Sequence, residues 1–154
     1  MIKLKTFGSF TVGNGLTSVQ EGAWRSEKLE KLFVYLAMNR NRGVCIEDIS
    51  EAIWQVEEET DNPVGALKNL AYRLRKALRD ASFGEECIVS VRGGLYKWND
   101  DVEVTIDVEE FDRYINEAEM AFCRSKETAI ESYEKAIAFT MEISCLLGQI
   151  HTGL

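Results

Sequence analysis

Histidine and proline are nearly absent from this 154-residue chain, which contains one of each. The single histidine, His151, lies close to the end of the chain, and the four cysteines are far apart without a C-x-x-C pair. No His/Cys cluster therefore has the spacing of a metal site, and no glycine-rich loop has the pattern that holds nucleotide phosphates. We expect no catalytic residue, no bound metal, no cofactor and no enzymatic activity.

Long hydrophobic runs are also missing. Nothing in the sequence approaches the roughly 18 apolar residues that a membrane-spanning helix needs. The N-terminus alternates like a strand and does not have the composition of a secretory signal, and the scattered cysteines fit reduced thiols. The sequence therefore predicts a cytoplasmic location and no membrane partner. Its length suits one domain or two small ones.

Charge is distributed unevenly along the chain. The net charge is −8. Residues 1–100 carry 14 basic and 14 acidic side chains, whereas residues 101–154 carry 4 basic and 12 acidic ones. The first part could meet a polyanion through a local basic patch, while the second part would be repelled by it.

The most basic segment is a predicted helix over residues 62–79, which has no acidic residue between Val64 and Arg79. Asn62 is placed to cap it, and Pro63 stands at the first helical position, where a missing N–H costs nothing. Its apolar residues recur at helical spacing and predict a buried face: Leu67, Leu70, Ala71, Leu74 and Leu78. The other face is basic and carries an amide, so duplex DNA is the leading candidate for its partner.

The elements before this helix predict a β-meander followed by two helices. Alternating apolar residues give short strands, the last of which is expected to end near Trp24. Ser26 is placed to cap a helix over residues 27–40, and a second helix is predicted over residues 46–54.

A hairpin follows the basic helix. Strand-forming residues flank the turn at residues 92–94, which contains two glycines. We expect Trp24 and Trp54 to anchor the core and Trp98 to be half-buried. The first hundred residues thus predict an α+β domain of strands, three helices and a hairpin.

The acidic end of the chain predicts an antiparallel helical hairpin over residues 107–147. Asp107 is placed to cap its first helix, and its second helix begins after Ser125. Both helices carry apolar residues that we expect to pack between them: Phe111, Tyr114, Ile115, Ala118 and Phe122 on the first, and Ala129, Ile130, Tyr133, Ala136, Ile137 and Met141 on the second.

The order of these elements and several motifs resemble a known family. The L-x-x-L-x-x-x-L-R-K-A-L helix and the V-R-G-G-x-Y hairpin are similar to the OmpR/PhoB-type winged helix-turn-helix. W-R-S-x-K at 24–28, Y-L-A-M-N-R-N-R-G-V at 35–44, A-I-W at 52–54 and D-V-E-E-F at 107–111 resemble a branch that joins this fold to a bacterial transcriptional activator domain, the SARP-like regulators. The resemblance implies a winged-helix DNA-binding domain over residues 1–100. It also implies the start of a tetratricopeptide-like activator domain over residues 107–147.

The family resemblance also implies a binding site. In the family the third helix lies in the major groove and the hairpin wing reaches the adjacent minor groove, which maps Asn69 and Arg73 to base edges and Arg92 to the wing. Arginine can donate two bonds to guanine and asparagine can pair with adenine, whereas lysine and tyrosine anchor phosphates without reading sequence. The residues mapped near phosphates are Lys68, Tyr72, Arg75 and Lys76.

The resemblance further implies partners beyond double-stranded DNA. Proteins of this fold often bind direct repeats as paired protomers, and in the family the activator domain contacts RNA polymerase. Two alternatives stand beside this interpretation. Arg75 could pair with Glu30 or Asp80 without touching DNA. The whole chain could instead be a protein-interaction module that keeps the winged-helix frame but does not bind DNA.

Overall fold

The computed structural model describes residues 1–54, 62–83, 87–91 and 93–151. The predicted mixture of strands and helices is present, and the elements follow one another in chain order: β1 (Ile2–Lys5), β2 (Thr11–Gly13), β3 (Ser18–Gln20), α1 (Glu27–Met38), α2 (Ile46–Ile53), α3 (Pro63–Asp80), β4 (Ile88–Val91), β5 (Leu95–Trp98), β6 (Val104–Ile106), α4 (Asp107–Phe122) and α5 (Lys126–His151).

The N-terminal strands form a sheet with the order β3-β2-β1-β6. β2 and β3 are antiparallel, and Val12 lies opposite Val19. Both valines are buried, as are Ile2 and Leu4 in β1. Burial of every second residue in these strands follows the alternation in the sequence, because successive side chains of a strand point to opposite faces.

Two features of this sheet differ from the prediction. β3 ends at Gln20, so the expectation of a strand reaching Trp24 is wrong. Gly22 and Arg25 have positive φ angles of 76° and 51°, which turn the backbone out of the extended conformation. The sequence also gave no sign of β6, because three residues are too few to establish an alternating pattern.

The helices α1, α2 and α3 pack on one another. α1 begins at Glu27 as predicted but ends at Met38, where the side chain of the next residue, Asn39, donates to the carbonyl of Tyr35 at 2.8 Å. Ser26 is the N-cap, although only its backbone carbonyl takes part, accepting the N–H of Leu29 at 3.0 Å. Its hydroxyl makes no capping bond.

An aromatic cluster lies beneath these helices, with Phe33 and Trp98 in the core and Trp24 half-buried, as Trp54 also is. The ring of Phe33 meets Trp24 edge to face at 5.5 Å and Trp98 at 5.4 Å. Trp98 is only 2% exposed, so the expectation that it is half-buried is wrong. Its indole N–H donates to the carbonyl of Val102 at 2.8 Å, which satisfies the one polar group of the ring and allows complete burial.

The predicted hairpin is formed by β4 and β5, which are antiparallel with Val91 opposite Leu95. The segment between α1 and α2 extends this small sheet. There, the N–H of Val44 donates to the carbonyl of Tyr96 at 2.8 Å, and the N–H of Tyr96 donates back at 2.9 Å. The hairpin is therefore held to the start of α2 by backbone hydrogen bonds.

The chain divides into two units by its contacts. The first unit comprises Met1–Leu4 and Thr11–Val104, and the second comprises Lys5–Phe10 and Thr105–Leu154. Assignment of residues 1–100 and 107–147 to separate functional domains stays a prediction. Among the helices in the described part of the chain, none combines the length and hydrophobicity needed to cross a bilayer.

In the second unit, Asp107 does not cap α4 in the way predicted. The N-cap is Ile106, and Asp107 is the first helical residue. Its buried carboxylate accepts the backbone N–H groups of Thr6, Phe7 and Val108 at 2.8–2.9 Å, together with the Thr6 hydroxyl at 2.8 Å. A segment from the beginning of the chain is therefore bound to the N-terminus of α4.

α4 and α5 pack on each other, but not through all the predicted residues. The buried residues are small ones: Ala118 on α4, and Ala129, Ser132 and Ala136 on α5. Four larger side chains expected between the helices are exposed instead, namely Phe122, Ile130, Tyr133 and Ile137. The prediction is confirmed for Ala118, Ala129 and Ala136, whereas the four larger residues lie outside the contact, because small residues allow two helices to approach closely.

Candidate nucleic-acid interface

α3 has one buried face and one exposed basic face. All five residues predicted for the buried face are buried: Leu67, Leu70, Ala71, Leu74 and Leu78. On the opposite face, five of the proposed site residues are exposed: Lys68, Asn69, Tyr72, Arg73 and Lys76. Tyr72 is 62% exposed, which is unusual for a tyrosine in a structured helix.

Both ends of α3 are fixed by side chains. At the N-terminus, the Asn62 side chain accepts the N–H of Gly65 at 2.9 Å, as the sequence predicted. At the C-terminus, the Thr17 hydroxyl donates to the carbonyl of Ala81 at 3.0 Å, and the Asn14 amide donates to the carbonyl of Ser82 at 3.2 Å. These two contacts join the end of α3 to the turn between β2 and β3.

Sequence reasoning missed the roles of Thr17 and Asn14. The missing information is tertiary, since nothing local indicates which carbonyl groups a turn will contact. The consequence for the site is rigidity. A helix that is capped at both ends and buried along one face presents its exposed side chains from a fixed frame.

Arg75 differs from the other proposed residues because it is half-buried. Its Nε–H donates to the carbonyl of Ile88 at 3.2 Å, which links α3 to the first strand of the hairpin. A guanidinium in this position can hold the hairpin against the helix. The phosphate contact assigned to Arg75 stays a prediction, and in the structure this side chain also binds the Ile88 carbonyl.

Replacing Arg75 by alanine is expected to lower the free energy of unfolding by about 1 kcal/mol, because the Ile88 carbonyl loses a donor in a partly buried place. Urea denaturation of the full chain measures the change. Arg79→Ala is the matched control, since Arg79 lies in the last turn of the same helix and is exposed. Equal stability of the two variants would show that the Arg75 contact contributes nothing.

The turn of the hairpin lies close to α2. Gly93 and Gly94 have φ angles of 91° and 77°, a conformation that residues with a Cβ rarely adopt. A Cβ at Gly94 would lie 3.9 Å from the side chain of Ile46, the first residue of α2. The side chain proposed for the wing, Arg92, lies outside the described residues.

In the described part of the chain, the cations on the exposed face of α3 take part in no ion pair. Within the described residues, Lys68, Arg73 and Lys76 form no salt bridge, whereas Arg42 pairs with Asp48 and Lys97 with Asp100. The acidic segment at residues 57–61, just before α3, lies outside the described residues. Cations that have no internal partner remain available for an external anion.

A known structure has a similar fold. Mycobacterium tuberculosis EmbR, solved in complex with a low-affinity phosphopeptide, matches with a TM-score of 0.68 and 20% sequence identity. The match covers 90% of this chain and 35% of EmbR, so the chain spans about a third of the length of that protein. At this identity the likeness shows the fold. No curated protein sequence matches the chain.

The family is shown by the sequence itself. Residues 21–98 match the family described as "Transcriptional regulatory protein, C terminal". The matched range contains α1, α2, α3 and the β4–β5 hairpin, the elements predicted to form the winged helix. The predictions of an OmpR/PhoB-type winged helix and of a role in transcription regulation are confirmed, and the chain belongs to this family of transcriptional regulatory proteins.

Proposed function

We propose that this chain is a sequence-specific DNA-binding regulator of bacterial type, in which α3 enters the major groove of duplex DNA and residues 92–95 contact the adjacent minor groove. The observation that carries the proposal is the composition of α3. Its exposed face holds three cations, an amide and a tyrosine, and its opposite face is buried in the core. The segment from Val64 to Arg79 contains no carboxylate that would repel phosphate.

The exposed side chains divide into two kinds by what they can recognise. Arg73 and Asn69 can each make paired hydrogen bonds to a base edge, guanine for arginine and adenine for asparagine. Lys68, Tyr72 and Lys76 suit phosphate oxygens, which fix the position of the helix but carry no sequence information. Asn69 and Arg73 are four residues apart on the helix, so both can face the same groove.

The proposal also covers the organisation of the whole chain. Residues 1–100 are the DNA-binding domain, and residues 107–147 are the start of an activator domain. Protomers pair on direct repeats, and the activator domain contacts RNA polymerase. Support for this part comes from the family resemblance. The match to EmbR supports only the fold of this region, because coverage of 90% of the chain includes part of the α4–α5 pair.

Salt dependence tests the proposal with the full chain. Fluorescence anisotropy with a random 30-base-pair duplex should show binding that weakens with salt, with a slope of log affinity against log salt of roughly −5 for about five or six cationic contacts per protomer. Lys68→Ala and Lys76→Ala should each make the slope less steep by about 1 unit. Lys3→Ala, which removes the same charge from β1, is the control and should leave the slope unchanged.

A second candidate function is a protein-interaction module on the same frame. The observation that favours it is the balance of 14 basic and 14 acidic side chains in residues 1–100, since DNA-binding domains are commonly basic. Absence of binding to the duplex at low salt would support this candidate. Binding that is equally sensitive to Lys3→Ala and Lys76→Ala would indicate charge alone, without a defined surface.

A further inference from the structure

A line of apolar side chains on α5 is exposed. Ile130 is 57% exposed, Tyr133 is 37% exposed and Ile137 is 56% exposed. Their spacing places them in one row along the helix, because residues three, four and seven apart lie on the same face. The side chains that α5 buries against α4 lie on a neighbouring face, at Ala129 and Ala136. We refer to Ile130, Tyr133 and Ile137 as the α5 stripe.

The α5 stripe differs from the isolated apolar residues that occur on every protein surface. In the described part of the first unit, exposed large hydrophobic residues occur singly on separate elements or turns: Met1, Leu16, Met38, Val64, Tyr72 and Val91. Single exposed residues need no explanation, but a row at helical spacing has the pattern by which one helix docks on another. The stripe is therefore a candidate interaction surface.

Glutamates border the stripe on the side away from the buried alanines. Glu127 and Glu134 stand three residues before and four residues after Ile130, and both are exposed. The backbone N–H of Glu127 and the hydroxyl of Ser125 lower the pKa of the Glu127 carboxyl. A third glutamate nearby, Glu131, is paired with Lys135 at 3.0 Å. The edge away from the buried alanines is therefore negative, and one exposed cation, Lys126, stands four residues before Ile130 at the N-terminal end of the row.

The negative charge beside the stripe distinguishes two possible binding partners, a second copy of this chain and a different protein. A second copy of α5 lying antiparallel, with its Ile130 opposite Ile137, would bring the two Glu134 side chains together at the symmetry axis. Residues 101–154 also carry 12 acidic against 4 basic side chains, so these segments of two copies repel each other. Like charges beside an apolar seam disfavour pairing, whereas opposite charges favour it.

We propose that the α5 stripe is a docking surface for an amphipathic helix of a partner protein that carries an apolar row bordered by lysine or arginine. Ile130 and Ile137 supply the apolar contact, and Tyr133 lies between them. Glu127 and Glu134 select the charge of the partner. This proposal does not rest on DNA binding by α3, and the experiment that tests it contains no DNA.

Two synthetic 21-residue helical peptides test the proposal against the full chain by fluorescence anisotropy. Both have leucine along one face; one has lysine beside the leucines and the other has glutamate. The lysine peptide should bind at least tenfold more tightly. Ile130→Ser/Ile137→Ser should weaken its binding about tenfold or more, with circular dichroism confirming that the helices remain, since both residues are exposed.

Charge reversal separates selection by the stripe from attraction to an acidic protein. Glu127→Lys/Glu134→Lys should reverse the preference, so that the glutamate peptide binds more tightly. Glu21→Lys/Glu47→Lys changes the net charge equally in the first unit, at two exposed residues, and should leave the preference unchanged. An equal effect of the two double variants would overturn the proposal. Sedimentation showing a dimer that Ile137→Ser dissociates would also overturn it, because the occupant would then be a second copy.

Discussion

Arg73→Ala should weaken binding to a selected DNA site by roughly 5- to 150-fold, or about 1–3 kcal/mol, while binding to random DNA falls much less. The reason is the position of Arg73 in the middle of the exposed face of α3, with no ion pair among the described residues. A free guanidinium can donate two hydrogen bonds to the O6 and N7 atoms of guanine. No other base presents this pair of acceptors in the major groove. Its loss therefore removes discrimination as well as charge.

The measurement needs a selected duplex, obtained by enriching a random pool with the wild-type chain, and a random duplex of equal length. Lys76→Ala is the matched control because Lys76 lies on the same face and loses one charge. This substitution should weaken binding to the selected duplex and to the random duplex about equally, since phosphate contacts carry no sequence information. Arg73→Lys keeps the charge but not the paired donors, and should resemble Arg73→Ala on the selected duplex. Equal losses on both duplexes in Arg73→Ala would contradict the base-reading role.

The parts of the fold that the sequence predicted are those with strong local signals. α3 combines an asparagine cap, a proline at the first position and five apolar residues at helical spacing, and every one of these features is present. The hairpin was equally well marked by strand-forming residues on either side of two glycines. The exposed face of α3 could be predicted for the same reason, because burial of one face determines which residues of a helix are exposed, and the binding role of that face stays a prediction.

The errors arose where burial depends on a partner that the sequence does not identify. Trp98 is fully buried with its N–H bonded to the carbonyl of Val102, and the sequence does not indicate this contact. In the second unit, the residues between the helices are small, so Ser132 and three alanines are buried while Ile130 and Ile137 are exposed. Hydrophobicity identified α5 as amphipathic but did not distinguish its packed face from its exposed one.

The contacts of Asp107 are a further example, since its binding to Thr6 joins residues separated by 101 positions. Asp107→Asn should lower the stability of the second unit by about 3 kcal/mol. The carboxylate accepts bonds from three donors of Thr6 and Phe7, with the Thr6 N–H shared between both oxygens, and an amide replaces one of its two acceptor oxygens with a donor. That donor would face backbone N–H groups in a site where Asp107 is 5% exposed. Hydrogen exchange of the Thr6 and Phe7 amides in the full chain measures the effect directly.

Asp112→Asn separates this effect from a change of charge on α4. Asp112 lies on the same helix and is exposed, so the same substitution there should alter stability by no more than about 0.5 kcal/mol. Thr6→Val removes only the hydrogen bond from the Thr6 hydroxyl. Its loss of stability should lie between those of Asp107→Asn and Asp112→Asn, at about 1 kcal/mol. The ring of Phe7 meets that of Phe111 edge to face at 5.5 Å, which is a second contact between this segment and α4. If exchange at Thr6 and Phe7 were unchanged in Asp107→Asn, this aromatic contact rather than the carboxylate would hold the N-terminal segment in place.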